Sequence, residues 1–205
     1  MGKFIVFEGL DGSGKSSQVK LLAEYLKDRG EKVYVTAEPS DTETGRYLRR
    51  ILSGSLKKDM HLQAALFLAD RIEHITDPQR GIKQYLDHGY TVICDRYYYS
   101  SLAYQGMSGE CSLDWVLGLN LNCEKLIKPD VCIFLDVNPD TCRARIENSR
   151  ESVELYEKSA ELMRQTRDGF IKVLSLLESE YGHNIIRIDA NNDMDIISKE
   201  IIKYV

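Results

Sequence analysis

The chain has 205 residues, and its 27 lysines and arginines against 32 aspartates and glutamates give a net charge of -5. This length predicts a single domain over 1–205, since one domain spans about 100–200 residues. The acidic balance, with no basic tail, argues against general nucleic-acid binding, because that binding needs clustered cations. No apolar run approaches the roughly 18 residues of a membrane span, and the start, MGKFIVFEG, turns acidic too soon for a signal peptide. We therefore expect neither a nucleic-acid nor a membrane partner.

The cysteines indicate the redox setting. There are five of them, and no two have the C-x-x-C spacing. They are Cys94, Cys111, Cys123, Cys132 and Cys142. An odd number without paired spacing argues against a disulfide framework and against structural zinc. We therefore predict a reducing, cytoplasmic setting for the chain.

Short apolar runs recur along the chain between longer helix-like segments. Runs rich in Val and Ile without strict alternation are typical of strands buried on both faces of a parallel sheet, with helices as the crossovers. The predicted strands cover 4–7, 32–36, 91–94, 131–135 and 185–188. The predicted helices cover 14–29, 43–53, 60–77, 79–88, 98–106, 113–122, 139–147, 152–181 and 193–204. This order predicts an α/β fold.

A phosphate-binding loop follows the first predicted strand. The segment GLDGSGKS fits the pattern G-x-x-x-x-G-K-[ST] and leads into the first predicted helix. Glycines let the backbone wrap a diphosphate with its N–H groups pointing inward, while Lys15 would bridge the β- and γ-phosphates and the Ser16 hydroxyl would ligate Mg²⁺. The sequence therefore predicts binding of a nucleoside triphosphate with magnesium. The predicted binding residues are Gly9, Leu10, Asp11, Gly12, Ser13, Gly14, Lys15, Ser16 and Ser17.

The segment DRYYYSSLAYQG follows the third predicted strand. Because the carboxyl ends of parallel strands face the ligand crevice, Asp95 and Arg96 are expected beside the phosphate loop. On the next helix, Ser100 and Tyr104 continue the four-residue spacing from Arg96 along one face. The alternative is a surface ion pair with core tyrosines. A GTPase is disfavoured, since the chain has no N-K-x-D segment and no D-x-x-G after the third strand.

These segments together resemble the thymidylate kinases, which phosphorylate dTMP to dTDP. The resemblance runs from Phe4 to Asn191 and is carried by FEGLDGSGKSSQ, Glu38-Pro39, LFLADRIEH and DRYYYSSLAYQG. It implies a P-loop nucleoside monophosphate kinase fold with a five-stranded parallel core, a mobile lid and a homodimer. It also implies ATP as co-substrate, Mg²⁺, and a role in dTTP synthesis. The alternatives are a kinase for another nucleoside monophosphate or a deoxynucleoside, and a nucleotide-binding protein without turnover.

The resemblance also implies an acceptor site. Asp11 matches an aspartate on the deoxyribose 3′-hydroxyl, Phe67 an aromatic that stacks on thymine, and Arg71 the arginine that reads the base. The remaining predicted acceptor residues are Glu38, Arg49, Arg96, Ser100, Tyr104 and Gln105. The helix pattern supports Phe67 and Arg71, which share a second stripe with Asp70 and His74. The core stripe is predicted to be Leu62, Ala65, Leu66, Ala69 and Ile72, and His74 is predicted to be a partly buried structural histidine.

The arginine that holds the acceptor phosphate is not fixed by the resemblance. Arg49 is the better match and Arg46 the reserve, and solvated helix charges remain an alternative for both. The chain has Ala37 where the family commonly has arginine in the pattern T-R-E-P. If that arginine supports the acceptor phosphate, its role has either moved to Arg46 or been lost.

The catalytic arginine is expected in a lid at about 143–152, a segment whose polar end with Asn and Ser favours a mobile flap. Family members carry this arginine either in the phosphate loop or in the lid, and Gly12 occupies the loop position. The chain therefore resembles the bacterial members of the family, which carry this arginine in the lid. Arg150 is the predicted catalytic arginine, with Arg143 or Arg145 in reserve and a solvated charge run as the alternative. Arg143 is predicted to stack on adenine, with the segment 188–191 beside it. The predicted catalytic set is Lys15, Asp95, Arg96 and Arg150, with Ser16 and Asp95 at the metal.

Overall fold

The structure of the chain is a computed structural model that describes residues 2–149 and 159–205. Its sheet contains five parallel strands in the order β2-β3-β1-β4-β5. The strands are β1 Phe4–Gly9, β2 Val33–Ala37, β3 Thr91–Asp95, β4 Val131–Asp136 and β5 Ile185–Asp189. The α/β class, the five predicted strands and their parallel direction are therefore confirmed.

Helices connect the strands. Within the described ranges they are α1 Lys15–Asp28, α2 Glu43–Leu52, α3 Met60–Thr76, α4 Ile82–Asp87, α5 Tyr98–Tyr104, α6 Leu113–Leu121, α7 Pro139–Ser149, α8 Ala160–Tyr181 and α9 Met194–Ile202. The first part of the predicted lid, 143–149, belongs to α7. Residues 150–158, which hold the rest of the lid and the start of the helix predicted over 152–181, lie outside the described residues. Over the ranges described, no helix is both long enough and apolar enough to cross a membrane.

The helix predicted over 79–88 begins later than expected, at Ile82. The Asp77 carboxylate accepts the backbone N–H groups of Gln79 and Arg80 at 2.8 and 2.9 Å, which holds this stretch as a turn. A Cβ atom at Gly81 would lie 2.5 Å from the Ile75 carbonyl oxygen. The chain therefore turns tightly before it enters α4.

The sheet brings three loops to one edge. β1 lies at its centre, and the side chains from Phe4 to Phe7 are at most 1% exposed. Phe7 is level with Asp95 of β3, and Ala37 of β2 is level with the same residue. The chain segments that follow β1, β2 and β3 therefore emerge side by side at the carboxyl edge, where parallel sheets bind their ligands.

The orientation of α3 contradicts the predicted core stripe. Ala65 and Ala69 are exposed, Leu62 is 38% exposed, and Leu66 and Ile72 are only half-buried. The buried residues of α3 are Gln63, Ala64, Asp70, Arg71, His74 and Ile75. This face can be buried because its polar groups find partners inside the protein, and such compensation offsets the cost of desolvation. The apolar residues of the predicted stripe are exposed or half-buried instead.

The partners of Asp70 illustrate this compensation. Its carboxylate accepts the backbone N–H and the hydroxyl of Ser40 at 2.8 and 2.5 Å, and the Thr42 hydroxyl at 2.8 Å. Thr42 is also the N-cap of α2, where its hydroxyl accepts the Gly45 N–H. A Cβ atom at Gly45 would lie 2.0 Å from the Ser40 carbonyl oxygen. The buried carboxylate thus fixes the start of α2 against α3.

Candidate active site

The carboxyl ends of β1, β2 and β3 open into a cavity of about 630 Å³. Most residues singled out from the sequence line it, from both the phosphate loop and the predicted acceptor region. The predicted residues among its walls are Asp11, Gly12, Gly14, Lys15, Ser16, Ser17, Glu38, Arg49, Phe67, Arg71, Asp95, Arg96, Ser100, Tyr104 and Gln105. Gly9, Leu10 and Ser13 are buried within the loop itself. The structure therefore joins the two predicted binding regions in one cavity.

The phosphate loop has a backbone that glycine adopts with little strain. The φ angle is 146° at Gly9, 77° at Gly12 and 94° at Gly14. Gly14 is the N-cap of α1 and offers no side-chain cap, so the first N–H groups of the helix remain available to an anionic ligand. The Lys15 amine donates to the carbonyl oxygens of Gly9 and Leu10, at 3.1 and 2.8 Å. Loop, helix terminus and lysine together form an anion cradle.

Lys15 lies in a crowded electrostatic environment. Burial, reinforced by the nearby Arg96 guanidinium, lowers the pKa of Lys15. The Asp11 carboxylate counteracts this shift and lies 4.0 Å from the amine. A bound phosphate would add negative charge beside the amine and would favour its protonated form. The cradle therefore suits a polyanion.

The start of α7 packs against the phosphate loop. A Cβ atom at Gly12 would lie 2.5 Å from the Cys142 carbonyl oxygen, so position 12 has no room for a side chain. The Arg145 guanidinium donates to the Gly12 carbonyl oxygen at 3.4 Å, and Arg145 also lines the cavity. Position 12 of the loop therefore cannot hold an arginine, whereas Arg145 of α7 brings a guanidinium to the loop.

Two oxygen ligands for a cation meet at the edge of the cradle. The Ser16 hydroxyl donates to one Asp95 carboxylate oxygen at 2.8 Å. The other Asp95 oxygen, Oδ1, is buried and has no hydrogen-bond partner among the described residues. A buried carboxylate oxygen without a partner is costly unless an ion or water satisfies it. Hydroxyl and carboxylate oxygens are the donors that Mg²⁺ prefers, so this pair fits the predicted metal.

Arg96 has a backbone conformation that is rare outside glycine, with φ at 72°. Its guanidinium donates to Asp11 at 2.6 Å and to the Ser100 hydroxyl at 3.0 Å, and it lies 5.5 Å from the centre of the Tyr104 ring. Although burial lowers the pKa of Arg96, the combined effect of Asp11, Tyr104, Glu8 and Asp95 outweighs burial, and the pKa lies well above its usual value. A permanently charged guanidinium therefore faces both the phosphate loop and α5.

The far wall of the cavity contains a buried ion pair. Arg71 is 1% exposed, its Nε donates to Glu38 at 2.8 Å, and its Nη2 lies 2.6 Å from the same carboxylate oxygen in an ion pair. Its Nη1 donates to the Asn120 amide oxygen at 2.6 Å, and Nη2 also donates to the Ser101 hydroxyl at 3.3 Å. Although burial lowers the pKa of Arg71, the combined effect of Glu38, Tyr97 and Asp70 outweighs burial and raises the pKa. Side chains on three sides thus fix the orientation of this guanidinium.

His74 is buried at 5% exposure, as a structural histidine would be. One ring nitrogen lies 2.6 Å from the Thr36 hydroxyl, and the other lies 3.4 Å from Glu38. His74 therefore contacts the Glu38 carboxylate of the Glu38–Arg71 pair. It is not among the residues that line the cavity.

The two candidate arginines for the acceptor phosphate occupy different places. Arg49 lines the cavity, and its guanidinium donates to the carbonyl oxygens of Ser40 and Pro39 at 2.7 and 2.6 Å. The guanidinium of Arg46 donates to the Asp41 carbonyl oxygen at 2.6 Å, outside the cavity lining. The geometry therefore favours Arg49.

The adenine-side residues are less well placed. Arg143 is exposed, and its Nε donates to Glu147 at 2.8 Å. It is not among the residues that line the cavity, so the structure does not bring it to the site. Arg150 lies outside the described residues. In the segment 188–191, the Asn191 side-chain oxygen accepts the backbone N–H of Asn138, which joins the loops that follow β5 and β4.

Three residues near the site were not assigned a role from the sequence. Ser101 lines the cavity, while Glu8 and Asn120 are buried behind it. Glu8 carried a signal that could have identified it, because a carboxylate inside a strand buried on both faces requires a compensating partner. Asn120 and Ser101 carried none, since each is an ordinary helix residue until the fold places it against Arg71.

Comparison with known proteins agrees with this geometry. A protein-family model described as thymidylate kinase matches residues 7–201. A probable thymidylate kinase of Thermococcus kodakarensis is 38% identical, over 98% of this chain and 96% of its own length. A thymidylate kinase of Caldicellulosiruptor saccharolyticus is 34% identical, over 100% and 96% of the two chains. A thymidylate kinase of Exiguobacterium is 32% identical, over 99% and 93%.

Proposed function

The chain belongs to the thymidylate kinase family, and we propose that its site transfers the γ-phosphoryl group of ATP, bound with Mg²⁺, to the phosphate of dTMP. The observation that carries this proposal is the single cavity that connects the phosphate loop to the buried Arg71. Asp95 and Arg96 line the same cavity and contact the phosphate-loop side through Ser16 and Asp11. Positioning and electrostatic stabilisation can therefore supply the catalysis, as phosphoryl transfer requires.

The donor triphosphate would occupy the phosphate loop. The N–H groups at the start of α1 would bind phosphate oxygens, and the Lys15 amine would exchange its present carbonyl partners for phosphate oxygens. Ser16 and Asp95 would hold Mg²⁺, with Asp95 acting through its unpartnered oxygen or through water. The metal, when bound, neutralises charge on the phosphate oxygens.

The acceptor phosphate would lie between Arg96 and Arg49, both of which line the cavity. A phosphate monoester has its second pKa near 6, so it is an anionic nucleophile at neutral pH and needs no general base. Arg96, through its fixed guanidinium, would hold this anion close to the donor phosphate against their mutual repulsion. In-line transfer then proceeds without a covalent intermediate.

The base and sugar would lie deeper in the cavity, with Phe67 stacked on the base. Arginine has five N–H donors. In Arg71, Nε donates to Glu38, Nη2 to Ser101 and Nη1 to Asn120, so among the described residues the second N–H of Nη1 has no recorded acceptor and can serve a ligand. A single fixed donor suits the carbonyl oxygen O4 of thymine. Asp11, Tyr104 and Gln105 would contact the deoxyribose side, with Tyr104 crowding the 2′ position.

A further arginine is needed over the transferring phosphoryl group. Arg150 remains the predicted residue, although it lies outside the described residues. Arg145 is the alternative, because it already reaches the phosphate loop and lines the cavity. Arg143 stays predicted for adenine stacking, which would require it to leave Glu147.

The co-substrate and metal are tested by a coupled assay of ADP release with dTMP as acceptor. We expect turnover with ATP and Mg²⁺ and loss of turnover when EDTA is added, with recovery after excess Mg²⁺ is restored. Turnover that persists in EDTA would contradict the assignment of Ser16 and Asp95 to a metal.

The acceptor-phosphate arginine can be identified with a matched pair of variants. Arg49→Ala should raise KM for dTMP by about 10-fold or more, because a hydrogen bond to a charged group contributes about 1.5–3 kcal/mol. Arg46→Ala should leave KM within about twofold, since its guanidinium is occupied outside the cavity. Steady-state kinetics at saturating ATP measures both, and the reverse order would assign the phosphate to Arg46.

A homodimer, which the family resemblance implies, is supported by the outward apolar residues of α3. Leu62 is 38% exposed, and Trp115 of α6, also 38% exposed, lies against His61 with the rings 5.0 Å apart. Exposed apolar patches of this kind mark protein interfaces. Sedimentation of the wild type measures the oligomeric state directly. The single domain, the reducing cytoplasmic setting and the lack of a nucleic-acid partner stay predictions.

A further inference from the structure

Glu8 is a carboxylate at the centre of the molecule. It lies on β1, has no exposed surface and does not line the cavity. Its Oε1 accepts the backbone N–H groups of Tyr97 and Ser100, at 2.8 and 3.1 Å, and its Oε2 accepts the Ser100 hydroxyl at 2.6 Å. One side chain of the central strand therefore holds the first turn of α5 by three hydrogen bonds.

These bonds continue to the active site. The Ser100 hydroxyl, which donates to Glu8, accepts from the Arg96 guanidinium at 3.0 Å. Arg96 in turn donates to Asp11 of the phosphate loop at 2.6 Å. A hydroxyl has one proton, so donation to the carboxylate orients its lone pairs toward the guanidinium. Glu8 thus fixes the orientation in which the Ser100 hydroxyl accepts the hydrogen bond from Arg96.

Arg96 needs such support because its backbone is strained. A non-glycine residue with positive φ persists only where the surrounding structure holds it, and Arg96 has φ at 72°. Its backbone N–H donates to the carbonyl oxygen of Phe7 at 2.9 Å. Phe7 is the residue that precedes Glu8 in β1. The next residue, Tyr97, donates its N–H to Glu8. β1 therefore holds Arg96 on both sides, through the backbone of Phe7 and the side chain of Glu8.

We propose that Glu8 is a positioning residue for phosphoryl transfer: through Ser100 and the start of α5 it fixes the Arg96 guanidinium between the two phosphates. Glu8 touches neither substrate in this scheme and acts only through Arg96. The inference rests on the role proposed for Arg96 above. It predicts that the negative charge of Glu8, and not merely its shape, supports the transfer step.

The surroundings of Glu8 make its ionisation observable. Burial raises the pKa of Glu8 to about 7, although Arg96 and the hydrogen bonds of Ser100 and Tyr97 counteract the shift. The groups that face it are the cations Arg96 and Lys15 and the weak acids Cys94, Cys132, Tyr98, Tyr99 and Tyr104. Burial raises the pKa of each of these cysteines and tyrosines, so they stay neutral near pH 7. The change of charge of Glu8 near neutrality is therefore not overlaid by these cysteines and tyrosines.

The test replaces the carboxylate by its neutral isostere, Glu8→Gln, and measures kcat and KM from pH 5.5 to 9. At pH 8 we expect kcat to fall by about 10- to 100-fold, because displacement of a reacting group by about 1 Å costs on that order. KM for ATP and dTMP should change less than threefold. The wild-type kcat should rise with pH through about 7, whereas Glu8→Gln should keep only the rise near 6 that belongs to the acceptor phosphate.

Stability separates positioning from a merely structural role. The folded-state pKa of Glu8 lies above its usual value of 4.5. The contribution of Glu8 to the free energy of unfolding therefore falls as pH rises from about 4.5 to 7. Glu8→Gln lacks this loss, so its melting temperature at pH 8 should be no lower than that of the wild type. A less active protein that is no less stable would show that the charge serves catalysis.

Arg96→Ala and the double variant complete the test. If Glu8 acts through Arg96, Glu8→Gln should cost little further kcat in the Arg96→Ala background. A Glu8→Gln variant with wild-type kcat and an unchanged pH profile, or a fully multiplicative loss in the double variant, would overturn the inference. Wild-type kcat in Arg96→Ala alone would instead refute the role proposed for Arg96, and the two failures are thus distinguishable.

Discussion

Replacing Lys15 by alanine should lower kcat by about 10²–10³-fold, the usual cost of removing one preorganised donor to developing charge. The amine now donates to two carbonyl oxygens of the phosphate loop and would move to the donor phosphates during turnover. Its loss removes an interaction that is strongest as charge develops on the transferring group. Steady-state kinetics at saturating ATP and dTMP measures the effect.

Lys20→Ala is the matched control, because Lys20 is an exposed lysine on the same helix. We expect its kcat to stay within about twofold of the wild type. Both variants should have melting temperatures within a few degrees of the wild type, since neither removes core packing. Near wild-type turnover in Lys15→Ala would refute the assignment of Lys15 to the donor phosphates.

Arg71→Ala should have the largest effect on stability. It removes one partner of an ion pair in which both side chains are at most 2% exposed and leaves the Glu38 carboxylate buried. Breaking such a pair costs about 3–5 kcal/mol. For a chain of this size the melting temperature should fall by about 6–20 °C. Calorimetry at pH 7 measures this change, and KM for dTMP should rise as the base loses its donor.

The double variant Glu38→Gln with Arg71→Met separates the two contributions. With the carboxylate neutralised and the space filled, most of the lost stability should return, because no unpaired charge remains. Recognition of the base should not return, since methionine donates no hydrogen bond. Full stability in Arg71→Ala would show that the pair is not energetically coupled.

The phosphate loop and the residues after β3 were predictable from sequence because local chemistry fixes them. Gly12 and Gly14 need positive φ angles that glycine adopts readily, and Lys15 follows them at the required spacing. Asp95 and Arg96 were predictable because the end of a parallel strand always faces the crevice. Here a short segment and one topological rule were sufficient.

The orientation of α3 was not predictable in the same way. Its apolar residues outnumber its polar ones on the stripe that includes Leu62 and Leu66, and a rule based on hydrophobicity places that stripe inside. The buried Asp70 depends on Ser40 and Thr42, which come about 30 residues earlier in the chain. Only the tertiary structure shows that Asp70 has these partners. It also shows that the apolar stripe of α3 is left exposed or half-buried, where another protein surface can cover it.

Contacts between residues far apart in sequence also explain why some residues near the site were not predicted from the sequence. Asn120 contacts Arg71 across 49 residues of sequence, and Glu8 contacts Ser100 across 92. Neither pair has a spacing that a helix or a strand would impose. Residues that contact the ligand belong to recognisable motifs, whereas those that orient them are found only when the chain is folded.

In the proposed reaction, a fixed Arg71 donor reads the base of the acceptor. This recognition is tested most directly by kcat/KM of the wild type for dTMP, dUMP and dCMP at saturating ATP. Uracil lacks only the methyl group, worth about 1–3 kcal/mol, so dUMP should be about 10- to 200-fold poorer. Cytosine places an amino group against the donor and leaves that buried N–H of Arg71 without an acceptor, so dCMP should be at least about 10²-fold poorer than dTMP. Comparable kcat/KM for dCMP and dTMP would contradict this account.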